Sequence, residues 1–143
     1  MTAALLDVNV IVALTWPNHV HHRSATAWFA GSGRGSWATC PITESGFVRV
    51  SSNSRALPNA GTPAEAIGVL RQLRTLPGHE FWPDDVSLAD CDEIELAAVI
   101  GSRQITDAHL LALAVRRGGR LVTFDRSIVA LASDPRYVVM LKL

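Results

Sequence analysis

Four acidic residues in this sequence stand at positions where a hydrolase could use them. Asp7 lies in the otherwise almost wholly apolar run LLDVNVIVAL, and Asp125 follows the apolar run LVTF. Glu44 comes shortly after the run SWATC, and Asp107 opens the run DAHLLALAV. The four acids are far apart along the chain, so they can share a site only if the secondary structure brings them together.

Short apolar runs alternate with helical patterns along the whole chain. The runs ALLDV, SWATC, EFW, RLVTF and YVVML predict strands. The segment Thr62-Pro63-Ala64-Glu65 predicts a helix start, because it supplies a capping hydroxyl, a first-turn proline and a capping-box glutamate before AIGVLRQLRTL. We predict further helices over residues 10–16, 20–30, 41–52, 87–103 and 107–119. Strands separated by helices favour crossover connections, so we predict a three-layer α/β/α fold with a central, mainly parallel sheet.

The predicted topology places the four acids at one edge of the sheet. Asp7 and Asp125 each end a predicted strand, while Glu44 and Asp107 each lie in the first turn of a predicted helix. Ligands of such folds bind beyond the carboxyl ends of the strands, so we expect all four side chains to converge in that crevice. Any one of these acids alone would be explained as a helix cap or a partner of the helix dipole.

Converging carboxylates need a counter-charge. Each close pair of like charges costs about 4 kcal/mol at an effective dielectric of 20, several times what a helix cap contributes. Lys142 is the only lysine, so a bound divalent cation, or protonation of some acids, must relieve the repulsion. All-oxygen ligation favours Mg²⁺ or Mn²⁺ over zinc, and these ions promote in-line displacement at a phosphodiester. We predict that Asp7, Glu44, Asp107 and Asp125 are both metal ligands and catalytic residues.

The sequence around these acids resembles the PIN-domain ribonucleases. The segments that carry the resemblance are LLDVNVIVAL, PITESGFVRV and, most specifically, ITDAHLLALAVRRGGRLVTFD. The nearest similarity is to the VapC toxins of bacterial toxin–antitoxin pairs, and it covers nearly the full chain. We therefore expect residues 1–143 to form a single PIN-like domain, although residues 53–90 match no motif.

The resemblance implies an activity, a cofactor and partners. It implies an endoribonuclease that binds Mg²⁺ or Mn²⁺ through an acidic quartet, which Asp7, Glu44, Asp107 and Asp125 match. It also implies a toxin that inhibits growth, forms a homodimer and is neutralised by a small cognate antitoxin. Our hypothesis is that Asp7 and Asp107 form the core of the metal site. Glu44 and Asp125 then complete it, position a second ion or orient the attacking water.

Several other polar residues have two interpretations each. Asn9 could support Asp7 by a hydrogen bond, or it could be an ordinary turn residue. Arg126 could meet a substrate phosphate or be solvated. A group of three arginines near the end of the last predicted helix could form a basic rim for RNA or compensate the helix dipole. These are Arg116, Arg117 and Arg120.

The remaining histidines, tryptophans and cysteines are assigned no chemistry. The run HVHH at residues 19–22 is not predicted to bind zinc, because His-X-His spacing on a helix directs the rings to different faces and no cysteine lies near. His109 is expected to face away from Asp107. The four tryptophans could stack on bases, but core packing is the default. We assign the tryptophans and cysteines to the core: Trp16, Trp28, Trp37, Trp82, Cys40 and Cys91.

Composition narrows the class of protein. Thirteen basic residues balance thirteen acidic ones, so the chain lacks the net positive charge that marks a simple nucleic-acid binder. No apolar run reaches the ~18 residues of a membrane span, and the N-terminus lacks the features of a signal peptide. We expect a cytoplasmic protein that does not contact membranes.

Two other functions remain open. A haloacid-dehalogenase-like phosphatase also begins with an Asp after its first strand and uses Mg²⁺. That family, however, has an Asp-X-Asp motif at this point, and this chain has Asn9 in place of the second Asp. The family also requires a lysine, and the only lysine here, Lys142, lies next to the C-terminus. The third possibility is a catalytically silent PIN-like binding module, which would be expected to lose part of the quartet. Cleavage of RNA in Mg²⁺ that stops in EDTA separates these possibilities.

Overall fold

The computed structural model describes residues 3–142 and contains one five-stranded sheet. Every strand pairing is parallel, and the strand order is β3-β2-β1-β4-β5. The strands are β1 (Ala4–Leu6), β2 (Trp37–Thr39), β3 (His79–Phe81), β4 (Arg120–Thr123) and β5 (Val138–Met140). The chain runs from β1 outward to β3 and then returns to the other side of β1. This makes the β1/β4 boundary the switch point at which a crevice opens.

Five α-helices cover the two faces of the sheet. They are α1 (Val8–Thr15), α2 (His22–Trp28), α3 (Pro41–Ser51), α4 (Pro63–Leu73) and α5 (Ile105–Arg116). Successive residues of β1 contribute to different cores. Leu5 packs in the core that contains α5, whereas Leu6 packs in the core that contains α1, α3 and α4. The predicted three-layer fold and its parallel sheet are confirmed.

Local sequence signals fix where the helices near the crevice begin and end. Asp7 caps α1, and α1 ends at Thr15, two residues before Pro17. The capping box predicted for α4 forms on both sides: the Glu65 backbone N–H donates to Thr62 Oγ1 at 3.1 Å, and the Thr62 N–H donates to Glu65 Oε1 at 2.9 Å. These caps set the directions of the helices that surround the strand ends.

The prediction of a helix over residues 87–103 is wrong. This segment forms three separate 3-10 turns, at Leu88–Asp90, Leu96–Ala98 and Ser102–Gln104. Side-chain oxygens accept hydrogen bonds from backbone N–H groups in this segment. Ser87 Oγ accepts from the Ala89 N–H, and Gln104 Oε1 accepts from the Ile100 N–H. Side-chain capping of this kind competes with helix formation.

The tryptophans and cysteines pack in the interior as predicted. Trp37 and Trp82 are buried, while Trp16 and Trp28 pack half-buried against the core. Cys40 and Cys91 are buried free thiols. Within residues 3–142, no helix combines the length and the apolar character needed to cross a membrane.

Candidate active site

Three aspartates line one pocket at the carboxyl ends of β1 and β4. Asp7 directly follows β1, Asp125 comes two residues after the last residue of β4, and Asp107 lies in the first turn of α5. The pocket encloses about 340 Å³. Its lining residues are Asp7, Val8, Asn9, Val12, His19, Val50, Asp107 and Asp125. The structure thus brings together three of the four acids that the sequence singles out.

Asp7 is buried and is held at both carboxylate oxygens. Oδ1 accepts from the Val8 N–H at 2.8 Å, and Oδ2 accepts from the Thr123 hydroxyl at 2.7 Å. Burial raises the pKa of Asp7 above its ordinary value, and the negative charge of Asp125 acts in the same direction. The hydrogen bonds from Thr123 and Val8 lower this pKa but do not outweigh burial.

Asp107 is partly buried and lies near the charges of Asp7 and Asp125. Partial burial, followed by the charges of Asp7 and Asp125, raises the pKa of Asp107 to about 6. Among the described residues that line the pocket, none is Lys or Arg. The three carboxylates therefore repel one another without a fixed positive partner, which is the situation that a bound cation relieves.

The chemistry of the donor set fits a hard divalent cation. Across the described residues 3–142, no three carboxylate, imidazole or thiol groups lie close enough to one another to bind the same metal ion. Mg²⁺, however, is ordinarily bound through one or two carboxylates, with water completing its six ligands. A pocket lined by Asp7, Asp107 and Asp125 supplies oxygen donors of this kind.

Glu44 does not line the aspartate pocket, so the structure does not show the predicted convergence for this residue. α3 approaches the pocket through Val50 and through Gly46, where an added Cβ would lie 2.5 Å from Val8 Cγ2. Glu44 lies two residues before Gly46 and hence about 200° around the helix. Its side chain lines a different groove, between α3 and α4.

The carboxylate of Glu44 has its own partners in that groove. Glu44 Oε2 accepts from the Thr39 hydroxyl at 2.7 Å, and Oε1 lies 3.5 Å from Arg74 Nη1. Arg74 in turn lies over the ring of Phe81, at 4.9 Å from its centroid. These contacts explain Glu44 as a residue that links β2 to α4.

We expect Glu44→Gln to keep the rate of any reaction in the aspartate pocket within about threefold. The amide oxygen can still accept from Thr39. The lost ion pair is long, at 3.5 Å, and its Arg74 side is 43% exposed, so its loss is worth no more than about 1 kcal/mol. The measurement is kcat on a cleavable RNA together with the melting temperature. A loss above 100-fold in a folded variant would return Glu44 to the catalytic centre.

Thr123 is the residue that sequence analysis missed. Its buried hydroxyl donates to Asp7 Oδ2 and accepts from the Asp125 N–H at 3.0 Å, so it joins two of the three aspartates. Asn9 strengthens this junction: its Nδ2 donates to Thr123 Oγ1 at 3.5 Å, and its Oδ1 accepts from the Phe124 N–H at 3.4 Å. The sequence signal that points to Thr123 is an uncharged polar residue that follows the buried apolar residues Leu121 and Val122 of β4.

Thr123→Val should lower the activity more than the small change in side-chain volume suggests. The substitution leaves one oxygen of buried Asp7 without its donor, so we expect a 10- to 100-fold loss in activity, roughly the effect of removing a group that supports a metal ligand. The concentration of Mg²⁺ that gives half-maximal activity should rise. Thr123→Ser is the matched control and should retain both properties; equal losses in the two variants would contradict this role.

His19 also lines the pocket, although the sequence does not predict that the run HVHH binds zinc. His19 Nδ1 accepts from the His21 N–H at 3.1 Å, so the neutral ring carries its proton on Nε2. Burial, and then the neighbouring His21 and His22, lower the pKa of His19. His21 stacks on Phe124 with ring centroids 4.9 Å apart, which holds this segment against the end of β4.

The other basic residues considered in the sequence lie outside the pocket lining. Arg116 Nε donates to Glu93 Oε1 at 2.9 Å, and Arg117 Nη2 lies 3.1 Å from Asp85 Oδ1. These pairs attach α5 to the segment before it, which favours a structural role for both arginines.

The remaining basic residues also lie outside the pocket lining. His109 pairs with Asp84 at 2.6 Å. Arg120 and Arg126 are exposed.

Comparison with known proteins decides the family. The PIN domain family model matches residues 4–133. The chain belongs to the PIN-domain family. Among similar PIN-domain proteins, ribonuclease VapC39 of Mycobacterium tuberculosis is 53% identical over 130 residues, which are 91% of this chain and 94% of that protein. Ribonuclease VapC38 of the same organism is 55% identical over 131 residues, 92% of this chain and 91% of the relative. The resemblance to VapC-type PIN-domain ribonucleases is confirmed.

A solved structure shares the PIN-domain fold. The crystal structure of VapBC2 from Rickettsia felis, bound to a DNA fragment from its promoter, matches with a TM-score of 0.56. The match covers 99% of this chain and 100% of that chain, at 12% sequence identity. At this identity the likeness supports the fold and says nothing about individual residues.

Proposed function

We propose that this PIN-domain protein is a metal-dependent endoribonuclease centred on Asp7, Asp107 and Asp125. The observation that supports it best is the pocket that the three aspartates share, in which no lysine or arginine stands among the described lining residues. The names of the relatives, ribonucleases VapC38 and VapC39, support RNA as the substrate. Mg²⁺ or Mn²⁺ is the cofactor that an all-oxygen donor set favours.

Each aspartate has a distinct part in this proposal. Asp7 and Asp107 would hold the cation, with Asp7 fixed in place by Thr123. Asp125 uses Oδ1 to accept from the Ser127 N–H at 2.9 Å, which leaves Oδ2 as its oxygen for a second ion or for the attacking water. When bound, the cation acidifies water, offsets the charge of the phosphodiester and stabilises the leaving oxygen. Glu44 is not part of this centre.

We propose further that the protein is the toxin of a VapBC pair. The similar VapC proteins and the fold shared with a VapBC complex support this assignment. The expected partner is a small cognate antitoxin that blocks RNA cleavage, and the expected assembly of the toxin is a homodimer. Co-purification with the product of a neighbouring small gene, followed by light scattering, tests both expectations.

The class of substrate that is cleaved distinguishes a ribonuclease from a phosphatase and from a silent binding module. The protein is incubated in Mg²⁺ with an end-labelled single-stranded RNA, the matching DNA and p-nitrophenyl phosphate. We expect internal cuts in the RNA. Release of phosphate from the small monoester without RNA cleavage would favour a haloacid-dehalogenase-like phosphatase. RNA binding without cleavage would favour a silent module. Asp7→Asn, purified in the same way, controls for contaminating nucleases.

A further inference from the structure

A second cavity lies beside the aspartate pocket and shares His19 with it. The cavity encloses about 110 Å³, a volume suited to a nucleobase rather than a whole nucleotide. Two chain segments line it, Trp16–His19 and Leu57–Ala60. Neither segment contributes an aspartate, so the cavity is chemically separate from the acidic centre although it is adjacent to it.

The end of α3 contacts residues of both spaces. Ser51 Oγ accepts from the indole N–H of Trp16 at 2.9 Å, which fixes the orientation of the indole. The carbonyl of Ser51 accepts from the Gly61 N–H at 3.3 Å, which brings the 57–60 turn back beside Trp16. Val50, the preceding residue, lines the aspartate pocket. Thus Val50 lines one space, and the adjacent Ser51 holds the tryptophan that lines the other.

The lining of the cavity suits a flat, uncharged ring with polar edges. Trp16, Pro17, Leu57 and Pro58 supply apolar surfaces, one of them aromatic, and the exposed Asn59 supplies an amide with both donors and an acceptor. Asn18 supplies a second exposed amide. Among the described residues that line the cavity, His19 is the only titratable side chain. Unpaired RNA bases are recognised in this way, by stacking on aromatic side chains and by hydrogen bonds to their edges.

His19 connects the cavity to the site of phosphodiester chemistry. Its Nδ1 is occupied by the His21 N–H, so the neutral ring presents a donor at Nε2. The ring lines both the cavity and the aspartate pocket. The sugar and phosphate that join a base in one space to a cleavable bond in the other would pass this donor.

We propose that the cavity binds one nucleobase of the RNA, belonging to a nucleotide that flanks the cleaved bond. Trp16 stacks on the base, Asn18 and Asn59 hydrogen-bond to its edge, and His19 donates to the linking sugar or phosphate. The inference rests on the proposed ribonuclease activity for its position in the substrate, and it predicts that cleavage depends on the base at one position.

Nucleoside binding to the metal-free protein tests the cavity without requiring cleavage. Adenosine, guanosine, cytidine and uridine carry no phosphate, so the aspartates do not repel them. Titration at millimolar concentration should shift the NMR signals of the Trp16 indole N–H and the Asn59 side-chain amide, and leave the Trp28 indole signal in place. Ala60→Leu, which fills the cavity, should remove the shifts. Absence of shifts with all four nucleosides, or equal shifts at Trp28, would overturn the proposal.

Cleavage of modified RNA tests the position of the base. An abasic nucleotide is placed in turn at each site around the cut. At one neighbouring site it should lower kcat/KM about tenfold for the wild type, the effect of losing one stacked base. Asn59→Ala should reduce that difference, whereas Gln72→Ala, an exposed amide on α4, should not. Equal tolerance at every site, or variants that alter only inhibition by the antitoxin, would overturn the proposal. A wild-type protein that cuts no RNA refutes the ribonuclease, and the nucleoside titration still decides the cavity.

Discussion

Asp107→Asn should abolish RNA cleavage and, at the same time, stabilise the metal-free protein at neutral pH. The amide removes a charged ligand, so we expect a loss larger than the 10- to 100-fold that follows removal of a merely supporting group. It also removes a charge that is disfavoured first by partial burial and then by the charges of Asp7 and Asp125. A catalytic residue whose ionised form is disfavoured in this way shows both effects together, whereas a helix-capping residue would show neither gain in stability nor loss of chemistry.

The dependence on pH follows from the sign of the shift. The pKa of Asp107 is raised to about 6 in the folded protein, against an ordinary value of 3.8. An acid whose pKa is raised by folding costs stability when it is ionised, and this cost grows as the pH rises from about 4 through 6. In EDTA, the melting temperature of Asp107→Asn should therefore exceed that of the wild type at pH 7.5, and the difference should vanish near pH 4.

Two controls keep this result interpretable. Asp92→Asn changes an exposed aspartate outside the pocket and should leave both activity and melting temperature unchanged. Addition of Mg²⁺ should raise the melting temperature of the wild type, because a ligand that binds only the folded state stabilises it, and should do so much less for Asp107→Asn. Full activity of Asp107→Asn, or a lower melting temperature than the wild type at pH 7.5, would contradict the assignment.

Removal of divalent cations should stop cleavage completely. Without a cation, a phosphodiester entering the pocket meets Asp7, Asp107 and Asp125, and each close pair of like charges costs about 4 kcal/mol at an effective dielectric of 20. The measurement is RNA cleavage by metal-stripped protein in EDTA, followed by addition of Mg²⁺ or Mn²⁺, either of which should restore activity. Cleavage that persists in metal-free buffer would contradict the proposal.

Proton competition adds a quantitative test of metal dependence. Because the pKa of Asp107 is about 6 in the metal-free pocket, protons compete with the cation below that pH. The Mg²⁺ concentration that gives half-maximal activity should therefore rise between pH 7.5 and pH 5.5. A constant requirement for Mg²⁺ across this range would mean that Asp107 does not contact the ion.

The positions of Asp7 and Asp125 could be predicted because they depend on topology. Each follows an apolar strand, and the ends of parallel strands meet at one edge of the sheet. The position of Glu44 could not be predicted from its place in the first turn of α3, because the phase of the helix decides which side chains face the crevice. In the structure Gly46 and Val50 face it, and Glu44 points into another groove.

Other parts of the structure depend on contacts between distant segments. The run 87–103 has the composition of a helix, yet burial of Ile94 and its bridge to Ala132 hold it in a different path. Thr123 acts on Asp7 across 116 positions in the sequence. The cavity beside His19 needs the 57–60 turn, which lies in the stretch that matched no motif. No local sequence pattern predicts contacts between segments so far apart in the chain.

Anomalous diffraction from crystals soaked in Mn²⁺ locates the cation without relying on activity. We expect one strong manganese peak in the pocket, within ligand distance of Asp7 and Asp107 and close to Asp125. We expect no such peak at Glu44. A pocket without manganese under conditions that support RNA cleavage, or a single manganese bound at Glu44 instead, would rule out a metal centre built on the three aspartates.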